Sequence, residues 1–231
     1  MTTEMMADVK SMASETRAAE PVRLALRKLW SDHVFWTREY IIAATTGPHG
    51  VTDIAEHLPV GNMGGGVANA TKSTLGAVPA SDADAAAARL LRNQDDIGEA
   101  IVPYYGQEAG RKLADLLKQH IMIAVELVGD AKSQDDEKFA KDDARWTQNV
   151  EDIASFLSEA NPNWPKKDVL DLLMLHLQLT KGEVVARLKK DWNEAIRLFD
   201  DIFTEIVVLA DALYDGLVAQ FPDRFPGSTR A

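Results

Sequence analysis

Apolar residues recur at three- and four-residue spacing along most of this chain, as in Leu113, Leu116, Leu117, Ile123, Ala124 and Leu127. No stretch alternates with the two-residue period of a half-buried strand. Such spacing gathers an apolar stripe on one side of a helix, so the expected fold is all-α. Breakers divide the chain into about six helices. The first runs from Pro21, suited to an initial helical turn, to Thr45 before Gly47-Pro48. The second opens on Ser81 as N-cap and ends near Val102-Pro103, and the third runs from about Tyr105 to Val128 before Gly129. A fourth passes through Trp146 and Phe156 to Ala160, where Asn161-Pro162-Asn163-Trp164-Pro165 interrupts it. The fifth reaches about Leu188, and the sixth extends from Asp191 to about Gln220. Short connections make neighbours antiparallel, which gives an up-and-down helical bundle.

Two segments stand apart from this pattern. Residues 1–19 read as a polar leader, leaving a single bundle domain over residues 20–225. Residues 47–80 hold Gly61, the Gly64-Gly65-Gly66 run and Gly76. A long glycine-rich insert within a domain is expected to be a lid or a mobile excursion. Its Lys72-Ser73-Thr74 lacks the Gly-Lys-[Ser/Thr] ending of a phosphate loop, and no strand precedes it, so nucleotide binding has no support.

Charge and composition exclude several classes. A net charge of −11 and a pI near 4.9 oppose binding to nucleic acid, which wants a basic face, and to anionic lipid. No cysteine occurs, which removes disulfides, thiolate metal sites and thiol nucleophiles. The apolar runs fall short of the ~20 residues of a membrane span, and the N-terminus lacks the apolar core of a signal peptide. A cytoplasmic protein is expected, with self-association as a homo-oligomer left open.

The polar residues on the apolar stripes carry the functional signal. His33, His120 and His176 lie in one helical context: Leu-Trp-Ser-Asp-His33, Leu-Leu-Lys-Gln-His120 and Leu-Leu-Met-Leu-His176. Asn93 and Asn149 precede His120 and His176 by the same 27 positions, which reads as an internal helical-hairpin repeat. Glu205 falls with Ile202, Leu209 and Leu213. With ~1.5 Å of rise per residue, counting from the turns sets all six at similar heights in the bundle. Burying such groups without partners costs of order 1–3 kcal/mol each.

One transition metal ion resolves that cost economically, with iron, manganese, zinc, nickel and copper all open. The expected ligands are His33, His120, His176 and Glu205. Asn93 and Asn149 would orient them, Asp96 and Asp152 would lie nearby, and Thr37 and Thr180, one turn past their histidines, would bond in the same layer. The Tyr105 hydroxyl is a further candidate to reach the site. Two other readings stand beside this one. The layer could line a pocket for a small organic ligand with residues 47–80 as its lid, or the chain could be a non-enzymatic interaction or assembly protein. Equal registers also follow from hairpin duplication alone, and a single mid-stripe histidine is commonly a satisfied core residue. His49 and His57 belong to the insert and are expected to be solvated. Arg38, Glu39, Glu126, Glu183 and Arg187 are expected as ion pairs at the rim of the layer, and the tryptophans as packing.

No His-Glu-x-x-His, Glu-x-x-His or calcium loop occurs, and no nucleophile elbow, so the residues name no reaction. The segments Leu-Trp-Ser-Asp-His-Val-Phe-Trp-Thr-Arg-Glu-Tyr-Ile, Asn-Gln-Asp-Asp-Ile-Gly-Glu-Ala-Ile, Pro-Tyr-Tyr-Gly-Gln-Glu-Ala-Gly and Ala-Asn-Pro-Asn-Trp-Pro resemble those of a group of small, all-helical bacterial proteins without an assigned role. The resemblance implies the helical fold and no chemistry. Likeness to ferritin-like or hemerythrin-like bundles is architectural.

Overall fold

A computed structural model describes residues 3–46 and 81–225, with side chains from residue 20 onward. The insert 47–80, with His49 and His57, lies outside the described residues. Five helices are present: α1 (Thr3–Thr45), α2 (Asp82–Ser133), α3 (Asp136–Ala160), α4 (Lys166–Leu188) and α5 (Trp192–Gln220), followed by a 3-10 turn at Pro222–Arg224. No strand occurs among the described residues. No described helix is long and apolar enough to cross a membrane.

Two of the prolines read as helix boundaries lie inside helices. Pro21 falls within α1, which begins at Thr3 and not at the proline. The segment from Glu4 to Glu20 is rich in alanine, methionine and glutamate, all strong helix formers. Pro103 lies within α2, whose single non-helical residue is Gly106, at φ 83° and ψ 168°. That backbone region belongs essentially to glycine, so the chain turns there and not at the expected Val102-Pro103. The two arms of α2 then fold back on each other. A Cβ built on Gly98 would stand 2.5 Å from the Gly110 carbonyl oxygen, and Lys118 of the second arm pairs with Asp95 of the first. Side-chain caps start three helices: Ser81, Asp135 and Asp191 accept from the amides of Asp84, Lys138 and Glu194, satisfying donors a helix start leaves free.

Packing closes these rods into one bundle. α1 packs on α2, α2 on α3, α3 on α4 and α4 on α5, and α5 returns to α1; α4 also touches α1 and α2 across the middle. One continuous apolar core runs through it, from Trp30 and Val34 on α1 to Ile206, Leu209 and Leu213 on α5. The Asn161–Pro165 break locks one end of the bundle. Asn161, fully buried, donates to the Gly216 carbonyl (2.9 Å) and to the Tyr105 hydroxyl (3.0 Å). Trp164 packs against Gly216 so closely that a Cβ there would meet its Nε1 at 1.9 Å.

The α2 fold-back yields a prediction. Gly98→Ala drives a methyl into the backbone of the facing arm and should cost ~1–3 kcal/mol, read as a lower urea midpoint. Gly129→Ala, in the same helix with nothing within 4 Å of the added carbon, should hold or raise that midpoint by up to ~1 kcal/mol. Equal effects at both positions would contradict the close approach.

Candidate metal centre

His33 on α1, His120 on the second arm of α2 and His176 on α4 converge at mid-height in the bundle. Their ring centroids lie 6.3, 5.6 and 6.2 Å apart. One ring nitrogen from each lies within 4.8 Å of the others, and all three side chains are buried, at 3%, 4% and 3% exposure. The apolar periodicity explains the convergence. Each histidine occupies a core position of its helix, and these three helices are the ones that touch across the middle.

Behind each ring, the next helix along the chain supplies an oxygen. His33 Nδ1 lies 3.3 Å from Gln94 Oε1, His120 Nδ1 lies 3.0 Å from Asn149 Oδ1, and His176 Nδ1 lies 3.2 Å from Glu205 Oε2. The amide orientations follow from their other bonds. Gln94 Nε2 donates to the Leu90 carbonyl (2.8 Å) and to Asn93 Oδ1 (3.2 Å), and Asn149 Nδ2 donates to the Leu116 carbonyl (3.0 Å). With their nitrogens committed, both amides present oxygen to the imidazoles, and an ionised Glu205 only accepts. Each Nδ1 must therefore carry the proton. In a neutral ring this leaves the Nε2 lone pair free, and no hydrogen bond to an Nε2 occurs among the described residues.

Electrostatics favours the neutral form. Burial, with His176 and His120 beside it, holds His33 well below the usual histidine range. Burial, with His176 beside it, lowers His120 to about 3, against the pull of its Asn149 bond. Glu205, 5% exposed, bonds through Oε2, and its Oε1 has no partner among the described residues. The site thus gathers three buried imidazoles, one nitrogen of each within 4.8 Å of the others, with a carboxyl group behind His176. That donor set is suited to a cation.

Most of the expected site residues reach this layer, in roles that differ in detail. The group within 4.8 Å holds the three histidines and not Glu205, whose carboxylate stands behind His176. Asn149 orients His120 as expected. Asn93 does not touch a histidine; its Nδ2 donates to the Leu29 carbonyl (3.1 Å), and Gln94 reaches His33 instead. Thr37 donates to the His33 carbonyl at 2.8 Å, while the buried Thr180 hydroxyl has no partner among the described residues. Tyr105 is absent from the site. Fifteen residues from His120 along α2, roughly 22 Å of helix, it donates to Gln220 Oε1 at 2.6 Å in the end-lock around Asn161. Asp96 and Asp152 also miss the layer. Both are exposed, pairing with Arg89 at 3.8 Å and accepting from Gln148 at 3.0 Å.

Gln94 is the residue that sequence reasoning overlooked. The register signalled it: Gln94 stands where the second segment has the core residue Val150, and a glutamine in a core slot needs a partner. At the rim, Arg38 pairs with Glu183 at 2.5 Å, and burial pushes that carboxyl up to about 7. Glu126 pairs outside the bundle with Arg145 at 2.6 Å.

No family model matches the chain, and comparison with curated proteins and with solved structures yields no match.

The lowered histidines set a pH dependence for the metal-free protein. In the unfolded chain His33 and His120 take up protons near the ordinary value of ~6.5, whereas the folded site resists protonation. Below that pH the unfolded state binds more protons, so the stabilisation is full above ~6.5 and declines as pH falls. The urea midpoint should drop between pH 7 and pH 5. His120→Asn should flatten the slope over that window, and an unchanged slope would contradict a neutral His120.

Proposed function

We propose that this protein is a metal-binding helical bundle whose resident transition metal is held by His33, His120 and His176. The observation that carries the reading is the convergence of three buried rings, one nitrogen of each within 4.8 Å of the others, with every Nδ1 beside a side-chain oxygen of the next helix. A cation turns that convergence into coordination. The backing is of the kind that fixes ring orientation and raises ligand basicity in metal sites. Metal–nitrogen bonds of about 2.0–2.1 Å require the three nitrogens to lie closer together than the 4.8 Å limit.

Glu205 acts in this reading through His176. Its negative charge offsets part of a divalent ion's charge, and the pair forms a carboxylate–histidine–metal relay. Three protein nitrogens leave a coordination position open, the pattern of reactive rather than closed structural sites, so redox chemistry, sensing and metal handling all remain within the proposal. The recurrence of the pairing supports an internal hairpin repeat: His120 and Asn149, like His176 and Glu205, are separated by 29 positions. A pocket for an organic molecule is less well supported, since none of the three histidines lines the cavity of about 30 Å³ one turn away or the open cleft of about 340 Å³ beside Asn149. An assembly role would draw on the exposed Trp192, Ile196 and Phe203 of α5, yet it would leave three buried imidazoles without a reason.

Elemental analysis of protein purified without a polyhistidine tag tests the reading. Near-stoichiometric metal is expected, with loss in His120→Ala. Glu205→Gln, which keeps an acceptor but removes the charge, should weaken binding about 10–100-fold. Metal-free protein of full stability, with no gain in unfolding temperature on adding zinc, ferrous or manganous ions, would overturn it.

A further inference from the structure

α5 carries a second apolar stripe besides the one that faces the core. Trp192, Ile196 and Phe203 are each about half exposed, and Phe199 lies between them, its ring centroid 6.3 Å from that of Phe203. Spacing of four, three and four residues sets all four on one side of the helix, as in a seam where helix packs on helix. α1 widens the patch. It runs antiparallel to α5, since Arg23 and Arg27 reach Asp211 whereas Arg38 reaches the Ala195 carbonyl and lies over the Phe199 ring. Phe35, one turn before Arg38, is therefore level with Phe203, one turn after Phe199, and it too is about half exposed. Four large side chains in that state offer roughly 400 Å² of apolar surface. A patch of that size rimmed by polar residues marks an interaction site, and it would form the core of a small protein interface of ~800 Å² a side.

Two properties select the occupant. The first is that the stripe complements itself. A two-fold axis passing between Arg197 and Leu198 exchanges Trp192 with Phe203 and Ile196 with Phe199, so two antiparallel copies meet large apolar side chain to large apolar side chain at every level. An isologous contact demands this of a single patch. The second is charge. Arg187 lies 4.9 Å from the Trp192 ring centroid, and Lys189 and Lys190 are exposed in the turn before it. Toward the other end of the stripe stand Asp200, exposed, and Asp201 beside it. The same axis brings the basic end of each copy toward the acidic end of the other, the complementarity that fixes register in an interface. A partner of one charge sign would be repelled at one end. An anionic membrane would meet these acids and a net charge of −11, which oppose it.

We infer that this face is the interface of an antiparallel homodimer, α5 against α5, with Phe35 of each copy beside Trp192 of the other. The inference does not rest on the metal centre, which lies inside each bundle.

Sedimentation velocity across a range of concentrations tests it, and a reversible monomer–dimer equilibrium is expected. Ile196→Glu puts a charge at the centre of the seam and should raise the dissociation constant at least tenfold. Its helical circular dichroism should stay that of the wild type, because Ile196 is 53% exposed within one chain. Val208→Glu is the control: Val208 is 50% exposed but lies off the stripe, five residues past Phe203, and the dimer should persist. Orientation is read by cross-linking. The chain has no cysteine, so Trp192→Cys and Phe203→Cys proteins carry one thiol each. Mixed under mild oxidation, the two should form a disulfide with each other at least tenfold faster than either does alone. A monomer at every concentration overturns the inference, as does a dimer indifferent to Ile196→Glu or disrupted equally by Val208→Glu. Each cysteine variant linking to itself as fast as to the other would also overturn it, because a parallel pairing does that. So would a chain that stays monomeric and holds a different protein on this face.

Discussion

Everything in the middle of this bundle depends on one kind of bond, an imidazole Nδ1–H given to a side-chain oxygen on the next helix. It occurs from His33 to Gln94, from His120 to Asn149 and from His176 to Glu205. Each bond ties two helices in register, because a buried donor that slips by one turn loses its acceptor and bears the desolvation cost alone. Each also decides the tautomer and thereby which nitrogen is left over. The stability of the layer and its chemical potential are consequently the same fact seen from two sides. Rings free to rotate would bind a cation poorly, and rings satisfied at both nitrogens would not bind one at all.

The acceptors are not equivalent. Gln94 and Asn149 are neutral amides whose own nitrogens are bonded to main-chain carbonyls, at Leu90 and Leu116. They therefore hold their rings rigidly and add no charge. Glu205 is a carboxyl group, with one oxygen unpartnered among the described residues.

Much of the architecture could be read from the residues. The helix ends at Thr45, Ala160, Leu188 and Gln220 fall where glycine, proline and polar breakers anticipate them. Interior prolines and an exposed glycine were less informative. Pro21 and Pro103 are carried within helices, and Gly129, with open space around it, does not stop α2 before Ser133. Local breakers act through a few kcal/mol at most, and packing of an apolar face can override them. The two arms of α2 had to meet through Gly98 and Gly110, and that requirement set the turn at Gly106.

For the site, the sequence by itself determined which residues face inward and at what height, because a helix repeats at 3.6 residues per turn and rises ~1.5 Å per residue. That was enough to gather His33, His120, His176, Asn149 and Glu205 into one layer. Only the tertiary structure decided which atom meets which. It chose Gln94 over its neighbour Asn93 as the partner of His33, set Glu205 behind a histidine instead of within the close group of three, and carried Tyr105 to the far end of the bundle. A hydrogen bond discriminates at a few tenths of an ångström, whereas periodicity resolves a residue only to a face and a turn. The choice between adjacent side chains is accordingly made by the angle and distance at which two helices pack.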